Sequence, residues 1–143
     1  METRTVAGPD TVLATAEFRS GDYRPATART GLEECLDRYC PWVSKPAVLL
    51  VASELITNAV RHTCGDWTMQ VTVRPAQLVV EVTDGSQTTP TPREPDLTGA
   101  AGGMGMHIIS KLTTWHETEV SPAGTGKTIR AVWQEVPQPT IGR

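Results

Sequence analysis

The chain has 143 residues, 38% of them hydrophobic and 20% charged, with a formal net charge of −3 and a pI near 5.6. This length suits one domain with one core, and scattered basic residues under a net negative charge argue against a nucleic-acid surface. No apolar run is long enough for a membrane span or a signal peptide. We therefore expect a single cytoplasmic domain over residues 1–143, frayed at 1–10 and 137–143.

The three cysteines, Cys35, Cys40 and Cys64, form no C-x-x-C pair, and their odd number argues against a disulfide framework. We expect them to be reduced. A zinc site that joined them to His62 is disfavoured, because Cys35 and Cys40 lie five residues apart on a predicted helix and point in different directions.

The first half of the chain predicts one strand and two helices. Small and apolar residues favour a strand over residues 11–18. Apolar positions three or four apart predict a helix over residues 26–39, which Cys40-Pro41 ends. The same spacing predicts a longer helix over residues 46–64, with a proline suited to its first turn.

The longer helix carries polar residues along an otherwise apolar cylinder. Glu54, Asn58 and Arg61 stand at positions i, i+4 and i+7, which places a carboxylate, an amide and a guanidinium on one side. Such a strip is usually a solvated helix face when nothing else accompanies it. Elements further along the chain favour a ligand site.

A hairpin follows, because alternating apolar residues predict two antiparallel strands over residues 69–74 and 78–83. The second strand ends at Asp84-Gly85, a turn sequence that leaves a carboxylate at the strand end. Taken singly, Asp84 is more simply explained as a turn former. Residues 86–101 contain three prolines and show no apolar period, so we expect a long irregular segment there.

The last third of the chain opens with a glycine-rich run over residues 99–106 that leads into a helix predicted for 103–113. Glycines ahead of a helix let backbone N–H groups approach a phosphate at the positive end of the helix dipole. Strands over residues 115–120 and 125–136 close the pattern as a hairpin. Hairpins and helices without crossovers predict an α+β two-layer sandwich, an antiparallel or mixed sheet with three helices on one face.

The order of these signals resembles one known family. A helix with Glu54-x-x-x-Asn58, a strand that ends in Asp-Gly, a Gly-x-Gly before a helix and Gly126-Lys127-Thr128 in the last hairpin are similar to the GHKL, or Bergerat-fold, ATP-binding domain. The phrase ELITNAVRHT most resembles the small bacterial anti-sigma-factor serine/threonine kinases. The resemblance runs from the first strand to Trp133, and it implies bound ATP and Mg²⁺ with residues 86–101 as a nucleotide lid.

The resemblance assigns roles to individual residues at the adenine and metal ends of the site. Glu54 matches the general base and Asn58 the magnesium ligand. Asp84, with Gly85 beside it, matches the aspartate that accepts the exocyclic amine of adenine, and Thr128 matches the threonine that closes the same purine edge.

The phosphates are assigned to the helix start, at Gly103, Met104, Gly105 and Met106. One departure from the family concerns the residues after Asp84. The usual Asp-x-Gly-x-Gly is Asp-Gly-Ser-Gln-Thr here, with the first glycine displaced and the second absent, which puts the shape of the adenine pocket in question.

Two arginines are left open. Arg61 either pairs with Glu54 or faces the phosphates, and the sequence does not decide between these alternatives. Arg29 stands on the first helix, where relatives often carry an arginine ahead of the nucleotide site.

The resemblance therefore predicts an anti-sigma-factor-like serine/threonine protein kinase that uses Mg-ATP. Its partners are a sigma factor and an anti-anti-sigma protein that carries the acceptor serine, and relatives suggest a homodimer. The alternative is a regulatory docking module without kinase activity, which the displaced glycines favour. A histidine-kinase fragment is disfavoured because this chain lacks the phosphoacceptor helix pair.

Overall fold

The computed structural model describes residues 8, 10–62, 66–85, 103–121 and 126–136. The described chain forms five strands and three helices. In chain order these are β1 Ala14–Arg19, α1 Pro25–Tyr39, α2 Lys45–His62, β2 Trp67–Arg74, β3 Gln77–Asp84, α3 Gly103–Leu112, β4 Trp115–Val120 and β5 Lys127–Gln134.

The strands form one sheet in the order β1-β2-β3-β5-β4, with every neighbouring pair antiparallel. The predicted hairpin of β2 and β3 is present, and its turn consists of Pro75 and Ala76. Ala76 has a φ of 61°, in the left-handed region that tight two-residue hairpin turns use. This turn fixes the register that later sets Trp67 opposite Asp84.

The three helices cover one face of the sheet, and α2 contacts both α1 and α3. The whole apolar stripe predicted for α2 is buried. Its members are Val48, Val51, Ala52, Leu55, Ile56 and Ala59. They meet the helix-facing side chains of β2, β3 and β5 in a single core, which includes Val71, Val80 and Ile129.

Helix α1 lies against β1 through a glycine. A Cβ atom added to Gly31 would lie 2.4 Å from the ring of Phe18, so the ring packs directly on the helix backbone. Phe18 also meets Tyr23 edge to face, with 5.2 Å between ring centroids. These contacts fix the entry into α1.

The α+β fold class and the order of elements are confirmed, and the sheet is antiparallel throughout the described residues. Four of the five described strands differ in length from the prediction, and β2 and β3 are each two residues longer. β1 begins at Ala14, three residues late, although Leu13 N–H still donates to Val73 O at 2.7 Å. β5 runs only over Lys127–Gln134. The proposed lid over residues 86–101, Cys64 and the predicted frayed ends, apart from residues 8 and 10, lie outside the described residues.

Of the two described cysteines, Cys40 is buried and Cys35 is partly buried. Burial raises the pKa of the Cys35 thiol, and burial together with nearby Cys35 raises the pKa of Cys40 from the ordinary 9.0 to about 11. Within the described ranges no group of His, Cys, Asp and Glu side chains is arranged to hold a metal ion. None of the described helices is long and apolar enough to cross a membrane.

Candidate functional site

The helix-facing side of the sheet changes character at one end of β3 and β5. Three apolar cross-strand pairs come first, Leu78–Trp133, Val80–Ala131 and Val82–Ile129. The next pair on the same side is Asp84 and Lys127. Their Oδ2 and Nζ atoms lie 3.7 Å apart, and their side chains are 2% and 0% exposed.

Burial and charge act on this pair in opposite directions. Desolvation lowers the pKa of Lys127 below its ordinary value, although the Asp84 carboxylate favours the charged form. A buried ion pair seldom stabilises a fold more than apolar side chains of similar volume do. Asp84 and Lys127 are therefore better candidates for binding than for stability.

The end of the sheet around Asp84 is open on both sides. A cavity of about 320 Å³ lies on the β1–β2 side, where Trp67 and Thr68 line it together with Asp84. A second cavity of about 320 Å³ lies on the β4–β5 side, where Asp84 is joined by Lys127 and Thr128. Asp84 thus lies at the border of two concave surfaces, with its own side chain 2% exposed.

Asn58 lies inside the interface between α2 and α3. Its side chain is 4% exposed, and its Nδ2 atom lies 3.9 Å from Met106 Sδ. The structure therefore brings together two residues that the sequence assigned to the metal and the phosphates. Glu54, one helical turn earlier, is half-buried, and its carboxylate makes no hydrogen bond or ion pair to another described residue.

The backbone of α3 begins at Gly103, as predicted, so the glycine-rich run leads into a helix N-terminus. The predicted phosphate-binding positions Gly103, Met104 and Gly105 belong to this first turn, and their side chains are outside the described set. Met106 and Ile109, which are 5% and 0% exposed, anchor the helix on the core. The helix start is thereby held beside Asn58.

A family model for the histidine kinase-like ATPase domain matches residues 21–133. The chain belongs to this family. The GHKL resemblance is thus confirmed, and domains of this family bind ATP.

One similar solved structure is the NMR structure of the histidine kinase domain of the E. coli osmosensor EnvZ. It shares 14% sequence identity, with a TM-score of 0.49 over 96% of this chain and 98% of that chain. No curated protein matches the chain.

Within this histidine kinase-like ATPase domain, Arg61 departs from the expected polar strip. Among the described residues it forms no ion pair with Glu54. It lines a groove of about 370 Å³ between α1 and α2 together with Arg29, whose Nη1 donates to Ser53 Oγ at 3.1 Å. The Glu54–Arg61 pairing, one of two alternatives, is therefore not seen, because Arg61 extends along the side of α2 that faces α1.

Thr128 lies on the sheet face opposite to Asp84. Its hydroxyl is 2.8 Å from that of Thr83, its cross-strand neighbour. The residue opposite Asp84 is Lys127, which sequence reasoning named only as part of the Gly-Lys-Thr motif. A signal was present, because position 127 shares the buried phase of β5 with Ile129 and Ala131, and a lysine in that phase is unusual.

Gly126 allows this pairing. A Cβ atom at residue 126 would lie 2.5 Å from the carbonyl oxygen of Asp84, a backbone atom that cannot turn aside. Only glycine lets the start of β5 approach the end of β3 so closely. The glycine of the motif therefore serves strand packing and brings Lys127 opposite Asp84.

Proposed function

We propose that this chain is a Mg-ATP-dependent serine/threonine protein kinase of the anti-sigma-factor kind. It binds a sigma factor and phosphorylates a serine of an anti-anti-sigma protein. The observation that supports this best is the half-buried Glu54 carboxylate one helical turn before Asn58, whose amide contacts Met106 in the first turn of α3. A carboxylate that no described residue engages, next to a predicted phosphate site, is suited to act as a base.

The residues divide the reaction between them. Asp84 binds the adenine amine, and backbone N–H groups at the start of α3 bind the phosphates. With its nitrogen toward Met106 Sδ, the Asn58 amide would offer its oxygen to a hard cation such as Mg²⁺. A magnesium ion held there would supply positive charge to the phosphates during transfer.

Glu54 completes the chemistry by accepting the proton of the substrate serine hydroxyl. The serine oxygen then forms a bond to the γ-phosphorus while the bond from that phosphorus to the β–γ bridging oxygen breaks, and ADP leaves. The transferred proton stays on the Glu54 carboxyl until it passes to solvent. The products are ADP and a phosphoserine on the antagonist.

The test uses γ-labelled ATP and candidate antagonist proteins from the same genome. Glu54→Gln should retain ATP binding and lose phosphotransfer by about 10²–10⁴-fold, because a positioned base contributes that much. Asn58→Ala should lose both binding and transfer. Glu34→Gln, an exposed carboxylate on α1, is the matched control and should behave like the wild type. Full phosphotransfer by Glu54→Gln would rule out its role as base.

A second candidate function is a regulatory docking module without kinase activity. One observation favours it, the displaced glycines after Asp84. A protein that holds a sigma factor but transfers no phosphate to any antagonist is the outcome that would establish this alternative.

A further inference from the structure

We propose that Lys127 is a second adenine-reading residue, whose ammonium donates a hydrogen bond to N1 of adenine while Asp84 accepts one from the 6-amino group. This inference rests on the proposed ATP site at Asp84. It assigns specificity to a side chain that the family motif marks only as the neighbour of Thr128.

The geometry matches the edge of the base. Adenine presents a donor, the 6-amino group, and an acceptor, N1, at adjacent positions of its Watson–Crick edge. Asp84 and Lys127 present an acceptor and a donor at adjacent positions of the sheet, with Oδ2 and Nζ 3.7 Å apart. An ammonium has three donors and a carboxylate two acceptor oxygens, so each group can make more contacts than the one that joins them.

The pair is held by rigid elements. Lys127 is the first residue of β5 and Asp84 the last residue of β3, and the backbones approach closely at Gly126. Sites built on strands are more precisely positioned than sites on loops. Lys127 therefore needs little rearrangement to remain aligned with the base that Asp84 binds.

Burial of the lysine supports a binding role. Its side chain is fully buried at a position where the preceding three cross-strand pairs are apolar. Desolvation lowers its pKa, which shows that the fold works against its charge. Apolar residues of similar volume often stabilise a fold as much as a buried ion pair does, so stability alone does not account for the lysine.

The same pair discriminates against guanine. In the pose of adenine, guanine places its O6 acceptor against the Asp84 carboxylate and its N1–H donor against the Lys127 ammonium. Both contacts are then mismatched, and unpaired buried polar groups are what gives polar sites their selectivity.

The experiment compares ATP with 1-deaza-ATP, which carries C–H in place of N1, by calorimetric titration. Wild-type protein should bind ATP about 10- to 100-fold more tightly than 1-deaza-ATP, the range for one hydrogen bond to a charged group. Lys127→Met should reduce ATP affinity by a similar factor and bind both nucleotides equally, since methionine cannot donate. Lys111→Met, an exposed lysine of α3, is the control and should keep the wild-type preference.

The outcomes separate this inference from the proposed function. Equal wild-type affinity for ATP and 1-deaza-ATP overturns the role of Lys127 and requires no variant. Tighter ATP binding by Lys127→Met also overturns it, because it shows that the lysine obstructs Asp84. The wild type could bind purine riboside triphosphate, which lacks the 6-amino group, more weakly than ATP and yet bind 1-deaza-ATP as tightly as ATP. In that case the ATP site at Asp84 stands and only the role of Lys127 fails. No binding of ATP by the wild type removes both.

Discussion

Strands β3 and β5 present two different surfaces to the helices. Along most of their length the cross-strand pairs are apolar, from Leu78–Trp133 to Val82–Ile129. At the final pair the same two strands present Asp84 and Lys127, as deeply buried as their apolar neighbours. Both regions belong to one continuous antiparallel register, so the difference lies in the side chains.

This difference separates stability from function. Full burial of a large apolar side chain stabilises a fold by about 1.5–3 kcal/mol. A buried ion pair is offset by the desolvation of its charges, and often contributes no more than an apolar replacement. The apolar pairs are therefore sufficient to hold the sheet to the helices, and the charged pair is what the proposed adenine site adds.

The largest effect is expected from breaking the charged pair. Asp84→Leu leaves the Lys127 ammonium without that carboxylate, and removal of one partner from a buried pair lowers the free energy of unfolding by about 3–5 kcal/mol. The double variant Asp84→Leu/Lys127→Met removes both charges and should recover stability at least to the wild-type value, without ATP binding. Urea unfolding measures the stability of the single and the double variant.

A double variant as unstable as the single one would contradict the comparison, since it would mean that the pair itself stabilises the fold. Comparable slopes of the unfolding curves are required before the midpoints are compared.

A substitution in the apolar region should lower stability without changing ATP affinity. Leu78 is fully buried at the far end of β3, and Leu78→Ala should lower the free energy of unfolding by about 2–5 kcal/mol through lost burial and a cavity. ATP affinity of the folded variant should stay at the wild-type value. Calorimetry below the unfolding midpoint checks this, and a large loss of ATP affinity would show that the two regions are not separable.

A smaller, pH-dependent effect is expected at Cys40, an ionisable group that the apolar core keeps neutral. Its folded-state pKa of about 11 lies above the ordinary 9.0, so the unfolded chain ionises first as pH rises. Stability from this group is complete below pH 9 and is lost between about pH 9 and 11. The two-unit shift corresponds to about 2–3 kcal/mol.

The measurement is urea unfolding of the wild type and Cys40→Ala at about pH 8 and pH 11. The wild type should lose about 2–3 kcal/mol more than the variant, because alanine has no proton to release. Parallel losses in both proteins would show that Cys40 is not desolvated as the structure indicates.

Much of the fold follows from periodicity. The apolar stripe of α2 is buried in full, and β4 has its predicted bounds, because the spacing of apolar residues directly encodes the face that is buried. The ends of β1 and β5 were less accurate, since strand ends depend on partners across the sheet. Leu13, for example, bonds Val73 without belonging to β1.

The candidate site was only partly predictable. Helical spacing placed Glu54 and Asn58 on α2, but it also grouped Arg61 with them, although that side chain extends into the groove beside α1. Lys127 was not predicted as a site residue, because the family motif assigns a role to Thr128 and none to the lysine before it. Which residue of β5 lies opposite Asp84 depends on the register of two strands distant in sequence, and the chain pattern alone does not give that register.

The central claim, that the Asp84–Lys127 end of the sheet binds adenine, is tested most directly by calorimetric titration of ATP and GTP into the wild type and Asp84→Asn. The account predicts that Mg-ATP binds, that GTP binds far more weakly, and that Asp84→Asn lowers ATP affinity by about 10- to 100-fold, because a charged hydrogen-bond acceptor is lost. Equal binding of ATP and GTP, or unchanged ATP affinity in Asp84→Asn, would contradict it.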